Sequence, residues 1–422
     1  MNPCTAFFYC TDDLLNWKLV PYNNSIVKCI GIGEKHVRTI NPKILLVHRV
    51  MNELADSLLK VFIPILIYKE LGSIGYAAAY LGGYYILQSL LNMTLGRYMT
   101  SKPIVFILLR LIPVLATQYL LVAGHGSVLL YGLIASTACA NAFYWVPLNY
   151  LFAASAGKAV GKATGRFRAA SVAGKIIGPG ISGIVLTYFG IEAVSTIAIA
   201  FFVVSIVVLL VSYLSKSMKE EAPVIPLPIA EATTSAEQPQ SPIAAIRIYL
   251  VSSVLSGFSD TADIFWSLYV FTVSAAFIDV GFVAVFIQFG VLAANLVIGK
   301  LTDVRKWLLP ALLPLLAYAI IWIIRPYAMA PVSVFTLSAA GGFLVPFFTI
   351  PIFANFVQES KRTHNLPVCL VSREVALKGG GAISIAGYLA TGMIAMPFFL
   401  AGAASLLLSI PLLRIFNRIK AV

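Results

Sequence analysis

The sequence predicts an all-α polytopic membrane protein: twelve transmembrane helices in two pseudo-symmetric six-helix halves, with both termini cytoplasmic. Composition, the spacing of apolar runs and a repeat at one offset predict this together. The chain has 422 residues, 59% apolar and 11% charged, and a mean hydropathy of +0.90. Soluble domains carry roughly 25% charged residues, so this chain cannot cover its surface with charge. A soluble enzyme, a disordered tail or a nucleic-acid-binding domain is excluded as the main body. The net charge of +13 fits lysines and arginines in cytoplasmic loops, and no nucleic-acid partner is expected.

The elements follow in order. Residues 1–43 form a cytoplasmic N-terminal segment. Asp12, Asp13 and Glu34 interrupt residues 1–40, and no cleaved signal peptide is expected there. Apolar stretches of membrane length, about 20 residues, run over 44–68, 73–95, 103–123, 127–154, 169–189 and 192–214. These make the first half, 44–214. Residues 215–243 hold five prolines and four glutamates, a composition that buries little apolar area and reads as a cytoplasmic linker. A second half, 244–416, has stretches over 244–274, 277–299, 307–324, 329–357, 368–390 and 393–416, with a tail at 417–422. The separators are short and carry turn or charge signals, as in Lys69-Glu70-Leu71-Gly72 and Gly124-His125-Gly126.

Loop charge sets the orientation. With the N-terminus inside, 23 of the 30 basic residues fall in inside segments. Only Lys69 and Arg325 fall in outside loops, and Arg49, Lys60, Arg110, Lys175 and Lys378 fall within spans. Basic residues concentrate on the cytoplasmic side, which supports an even number of spans.

The halves resemble each other. Asn92-Met-Thr-Leu-Gly96-Arg97 corresponds to Asn295-Leu-Val-Ile-Gly299-Lys300 at an offset of 203, and Phe143-Tyr-Trp-Val-Pro147 to Phe347-Phe-Thr-Ile-Pro351 at 204. Arg168 and its glycine-rich run correspond to Arg373 at 205, and Glu53 and Asp56 to Asp260 and Asp263 at 207. Each match is weak alone; four at nearly one offset indicate a duplicated six-span unit.

These features resemble the major facilitator superfamily of transporters over about residues 44–416. The family carries a basic loop, G-x-L-x-D-R-x-G-R-R, after spans two and eight. Gly299-Lys-Leu-Thr-Asp303-Val-Arg305-Lys306 matches its glycine, leucine, aspartate and bases, with Val304 replacing the arginine. The first copy keeps Gly96 and Arg97 but has Thr100 in place of the acid. Span five carries Gly174-x3-Gly178-Pro179-x2-Ser182-Gly183, similar to a G-x-x-x-G-P-x-x-G-G motif associated with exporters. The resemblance implies the family fold, a cavity bordered by spans one, four, seven and ten, a conformational loop at Gly96, Arg97, Gly299, Asp303 and Arg305, and close helix packing at Gly174, Gly178, Pro179 and Gly183. A solvated turn and ordinary helix packing are the plainer alternatives.

Charges within the spans are the most informative residues, because an ionisable group at mid-membrane is costly unless it faces a cavity or a partner. Glu53, Asp56 and Lys60 share one face of span one. An i,i+4 pairing of Asp56 with Lys60 leaves Glu53 free to titrate. Asp260 and Asp263 share a face of span seven with no base within a turn. Two nearby acids suit proton coupling, and a structural ion pair between halves explains them equally well. In span eleven, Glu374 is expected to pair with Lys378. Arg110 and Lys175 suit an anionic substrate or neutralise the acids. Tyr144 and Trp145 in span four, with Phe347 and Phe348 in span ten, are candidate cavity aromatics or interfacial packing.

Cys4, Cys10, Cys29, Cys139 and Cys369 and the four histidines show no metal-ligand spacing, and no phosphate-binding glycine loop occurs. No cofactor, no metal and no catalytic residue is expected, and the chain is not expected to be an enzyme. The expected function is secondary active transport of a small solute by alternating access, proton-coupled, with export favoured. A monomer in the plasma or inner membrane is expected. A lipid flippase on the same scaffold and a non-transporting receptor or scaffold are the alternatives.

Overall fold

A computed structural model describes residues 42–156, 160–217, 242–301, 311–363 and 365–420. The expectations for residues 1–41, for most of the 215–243 linker, and for Asp303 and Arg305 lie outside the described residues. The described residues contain no strand; they form helices α1 (Pro42–Lys60), α2 (Ile63–Leu71), α3 (Ile74–Ser101), α4 (Pro103–Leu109), α5 (Leu111–Ala123), α6 (Gly126–Ser155) and α7 (Val160–Tyr188). Then come α8 (Gly190–Ser217), α9 (Pro242–Ser274), α10 (Phe277–Leu301), α11 (Leu312–Ile324), α12 (Pro331–Arg362), α13 (Leu366–Thr391) and α14 (Met396–Lys420). A 3-10 turn, Arg325–Tyr327, follows α11.

Proline explains the internal breaks. Pro64 lies at the start of α2 and has no N–H to give to the carbonyl of Lys60, so the helix restarts after Phe62. Pro113 does the same in the first turn of α5, and the α4–α5 junction falls at Arg110. Gly72 and Gly392 end α2 and α13 in the left-handed conformation, φ +73° and +66°, which costs glycine little.

Seven helical segments among the described residues are long and apolar enough to cross a membrane. Large apolar side chains point outward, among them Ile86, Ile112, Val128 and Leu313. Soluble monomers rarely expose such a continuous apolar surface. The helices α1, α9 and α13 are absent from that apolar set, and they carry Glu53 and Asp56, Asp260 and Asp263, and Arg373, Glu374 and Lys378.

Helices of 42–217 meet helices of 242–420 along two main seams, α7 against α10 and α3 against α13. Small residues make the seams close. A Cβ on Gly281 would lie 2.6 Å from the Pro179 carbonyl oxygen, and one on Gly183 2.8 Å from that of Phe277. One turn earlier on α7, a Cβ on Gly174 would meet the Val50 carbonyl at 2.5 Å, and one on Gly178 would overlap Ser57 Oγ. The Gly174–Gly183 run therefore packs α1 on one side and α10 on the other, as small residues do in membranes.

Candidate functional site

The interior charges are arranged around α1. Arg49, Glu53, Asp56 and Lys60 repeat at three and four residues and share one helical face. Arg49 pairs with Glu53 at 2.6 Å, and Lys175 of α7 reaches the other oxygen of Glu53 at 3.6 Å. Arg110, at the α4–α5 junction, grips both oxygens of Asp56 at 2.6 and 2.7 Å and donates to Asn52 Oδ1. Tyr144 lies under Arg110, 4.1 Å from the guanidinium to the ring centre, and Trp145 lies 4.6 Å from that of Arg49.

The same arrangement recurs in the second set of helices. Arg325, at the end of α11, donates to Asp263 of α9 at 3.1 Å and is 1% exposed. It lies 4.0 Å from the Trp322 ring centre and 5.1 Å from that of Trp266. Gly341 leaves room for it, since a Cβ there would meet Arg325 Nη2 at 2.8 Å. In both sets an aspartate is gripped by an arginine that sits on aromatic faces. Attraction to the ring lowers the cost of burying a guanidinium.

On α13, Glu374 accepts from Arg373 at 2.8 Å and from Asn149 of α6 at 3.2 Å. Arg373 rests on Phe353, 4.7 Å away. Nearby, Arg168 of α7 donates to Thr349 of α12 at 2.9 Å, and Lys361 of α12 donates to the Ala156 carbonyl. These polar bonds cross from the 42–217 helices to the 242–420 helices.

Four of the five interior carboxylates are thus taken by arginines: Glu53, Asp56, Asp263 and Glu374. Asp260 is exposed and has no ion pair among the described residues. Lys60 and Lys378 likewise have no carboxylate within ion-pairing distance among the described residues. Lys378 lies 4.7 Å from the Tyr85 ring centre, and Lys60 is exposed, 5.9 Å from that of Trp145. A cavity lined by Asp56, Lys60, Tyr84, Arg110, Gln118 and Phe202, among others, opens beside this cluster, with Ile264 of α9 on its wall.

Two pairings expected from sequence spacing are corrected. Asp56 pairs with Arg110 rather than Lys60, and Glu374 with Arg373 and Asn149 rather than Lys378. Arg110 reaches both oxygens of Asp56 through Nη2 and Arg373 reaches one oxygen of Glu374; a guanidinium carries five fixed donors where a lysine is a point charge. Glu53 is not free, being held by Arg49 and Lys175. Arg325, expected in an outside loop, is buried against Asp263.

Other candidates divide. Tyr144 is fully buried beneath the arginines, and Trp145 lies between Arg49 and Lys60. Phe347 packs with Ala294, Ile298 and Ile350, and Phe348 is buried against Tyr318, a separate layer from Tyr144 and Trp145. Gly96 and Arg97 lie within α3 rather than in a loop. Gly96 presses on Val371 of α13, Arg97 is exposed, and Thr100 donates to the Arg97 carbonyl at 2.9 Å. Gly299 lies in the last turn of α10. Sequence reasoning passed over Arg49, Lys60, Tyr85, Asn149, Lys378 and Arg325 as site residues. Depth within a span marked Arg49, Lys60 and Lys378; Arg325 had only its neighbouring Trp322 as a signal.

Comparison with known proteins places this geometry in context. The family model described as Major Facilitator Superfamily matches residues 45–383. A bacterial homologue of the iron transporter ferroportin, in its outward-facing state, aligns at 14% identity with a TM-score of 0.65, covering 89% of this chain and 99% of that one. The same homologue soaked with iron aligns with a TM-score of 0.64 and 14% identity, over 89% and 98%. The human organic anion transporter MFSD10 aligns at 12% identity with a TM-score of 0.62, over 88% and 98%. No curated protein matches the sequence.

Proposed function

The chain belongs to the Major Facilitator Superfamily, and on that premise we propose that this multi-pass membrane transporter moves a small solute by proton-coupled alternating access, with Asp260 as the proton-binding group. The single observation that carries the coupling is the ledger of interior charge. Glu53, Asp56, Asp263 and Glu374 are each held by an arginine, while Asp260 is exposed and has no ion pair among the described residues. An arginine in contact fixes a carboxylate in its charged form, and Asp260 is the one of the five without that contact among the described residues. Tyr84, Tyr85, Arg168, Lys175 and Lys378 lie within electrostatic range of Asp260, together with Asp263.

Twelve spans, two six-helix halves (44–214 and 244–416) and cytoplasmic termini complete the proposal, with the plasma or inner membrane as its place. The repeated Asp56–Arg110 and Asp263–Arg325 pairs support the two halves, since a duplicated unit carries its internal contacts with it. A rocking motion of the halves about the central charges then exposes Asp260 to each side in turn. The bonds Arg168–Thr349, Asn149–Glu374 and Lys361–Ala156 have to break and reform in that motion.

Reconstituted protein with an imposed pH gradient tests the proposal. Concentrative movement of a solute from a mixed panel, collapsed by a protonophore, is expected. Equilibration without accumulation under every gradient contradicts coupling. One structural neighbour is described as a homologue of an iron transporter and another as an organic anion transporter, so the shared fold accommodates solutes of either charge and does not set the cargo.

A further inference from the structure

We propose that the transported solute is a small organic anion whose charged group is received by Lys60, Lys175 and Lys378, contributed by three different helices. The inference rests on the transporter reading and deepens it by naming the substrate class.

Charge balance carries it. Of the interior arginines, 49, 110, 325 and 373 each already have a carboxylate, and Arg168 is bonded to Thr349. Lys60 and Lys378 have none among the described residues, and Lys175 shares Glu53 with Arg49 at 3.6 Å against 2.6 Å. One acid, Asp260, remains for this group. Cations at such depth are costly and repel one another, so an interior that keeps an excess of them is built to receive negative charge.

The surroundings fit an organic rather than an inorganic anion. Lys60 and Tyr84 line the cavity together with the apolar side chains Val114, Phe202 and Ile264. The ring of Tyr85 lies against Lys378, leaving that ammonium oriented by a face rather than neutralised. Gln118, buried on the same wall, has a side-chain oxygen with no hydrogen-bond partner among the described residues. The lining thus offers an ammonium without a carboxylate partner and apolar side chains to the same solute. A metal cation would need the reverse; the described residues contain no group of three His, Cys, Asp or Glu able to hold one.

The test needs no knowledge of the solute. Thr137 and Ile264, both on the cavity wall, are changed one at a time to cysteine in the full chain with its native cysteines replaced. Each is labelled with an anionic sulfonatoethyl methanethiosulfonate and with a cationic trimethylammonium-ethyl methanethiosulfonate. Rates are normalised to those of a small free thiol. A cationic cavity concentrates the anionic reagent, so a normalised preference of about tenfold is expected. Lys60→Gln and Lys378→Gln are each expected to lower it about threefold. A ratio near one, a preference for the cationic reagent, or no reaction from either side overturns the proposal. Solutes accumulated by reconstituted protein are expected to be anions, with uptake lost in Lys378→Gln; an accumulated cation indifferent to that change also overturns it. Absence of any accumulation with an intact anionic preference contradicts the transporter reading while leaving the cavity assignment standing.

Discussion

Replacing Asp56 by Asn strips the negative partner from Arg110 while keeping the side chain's size. Arg110 is 2% exposed, with Nη2 at 2.6 and 2.7 Å from the two oxygens of Asp56; asparagine keeps one of these as an acceptor, so one bond and the charge attraction are lost. Breaking a buried pair by removing one partner costs about 3–5 kcal/mol. Asp56 is 22% exposed, so water reaches part of the site, and the Tyr144 face retains up to about 2 kcal/mol of cation attraction. The net loss is therefore placed near the lower bound, about 3 kcal/mol. Stability effects translate to about 2–4 °C per kcal/mol in domains of 150–250 residues, and to less in a longer chain. A fall of about 3–6 °C in the thermal midpoint of detergent-purified protein is expected on that scaling. Arg110→Met alone strands Asp56 in turn. The double variant removes both charges and is expected to recover most of the loss, giving a coupling of about 2 kcal/mol or more, since a buried pair replaced by neutral groups costs little. An unchanged midpoint in Asp56→Asn, or additive losses in the double variant, refutes the view that this pair is a structural unit.

Three further outcomes follow from the same geometry. The Asp263–Arg325 pair has one bond of 3.1 Å and a 39% exposed aspartate, so its double-variant coupling is expected to be smaller, about 1 kcal/mol, in the same thermal assay. Gly178→Val forces a side chain into Ser57 Oγ and is expected to cost about 1–3 kcal/mol by overpacking, with partial rescue by Ser57→Ala; full stability of the single variant contradicts the close packing. Single cysteines at positions 125 and 230 are expected to label from opposite sides of the membrane, and same-side labelling contradicts the twelve-span topology.

The helical architecture was legible because it depends on composition along the chain. Apolar runs, prolines and helix-ending glycines act locally, and Pro64, Gly72 and Gly392 do in the fold what their chemistry requires. Of the acids matched between the two sets, Asp56 and Asp263 each meet an arginine, whereas Glu53 is buried and paired and Asp260 is exposed with no ion pair among the described residues. Partner choice was not legible. Spacing of four residues suggested Asp56 with Lys60 and Glu374 with Lys378. The partners observed for Asp56 and Asp263 come from residues 54 and 62 positions away. Which arginine faces which carboxylate depends on the rotation of each helix, set by contacts such as Gly174 on Val50 and Gly341 on Arg325 that no local pattern reveals. Phe347 and Phe348 show the same limit, since an aromatic pair has no sequence mark separating a cavity wall from a packing layer.

The central claim is that Asp260 carries the coupled proton. Asp260→Asn in proteoliposomes tests it most directly, with uphill accumulation and downhill exchange measured on the same preparation across pH. The account predicts lost accumulation, retained exchange and a flattened pH profile, while Asp263→Asn keeps its pH dependence. Accumulation by Asp260→Asn with an unchanged pH profile would contradict it.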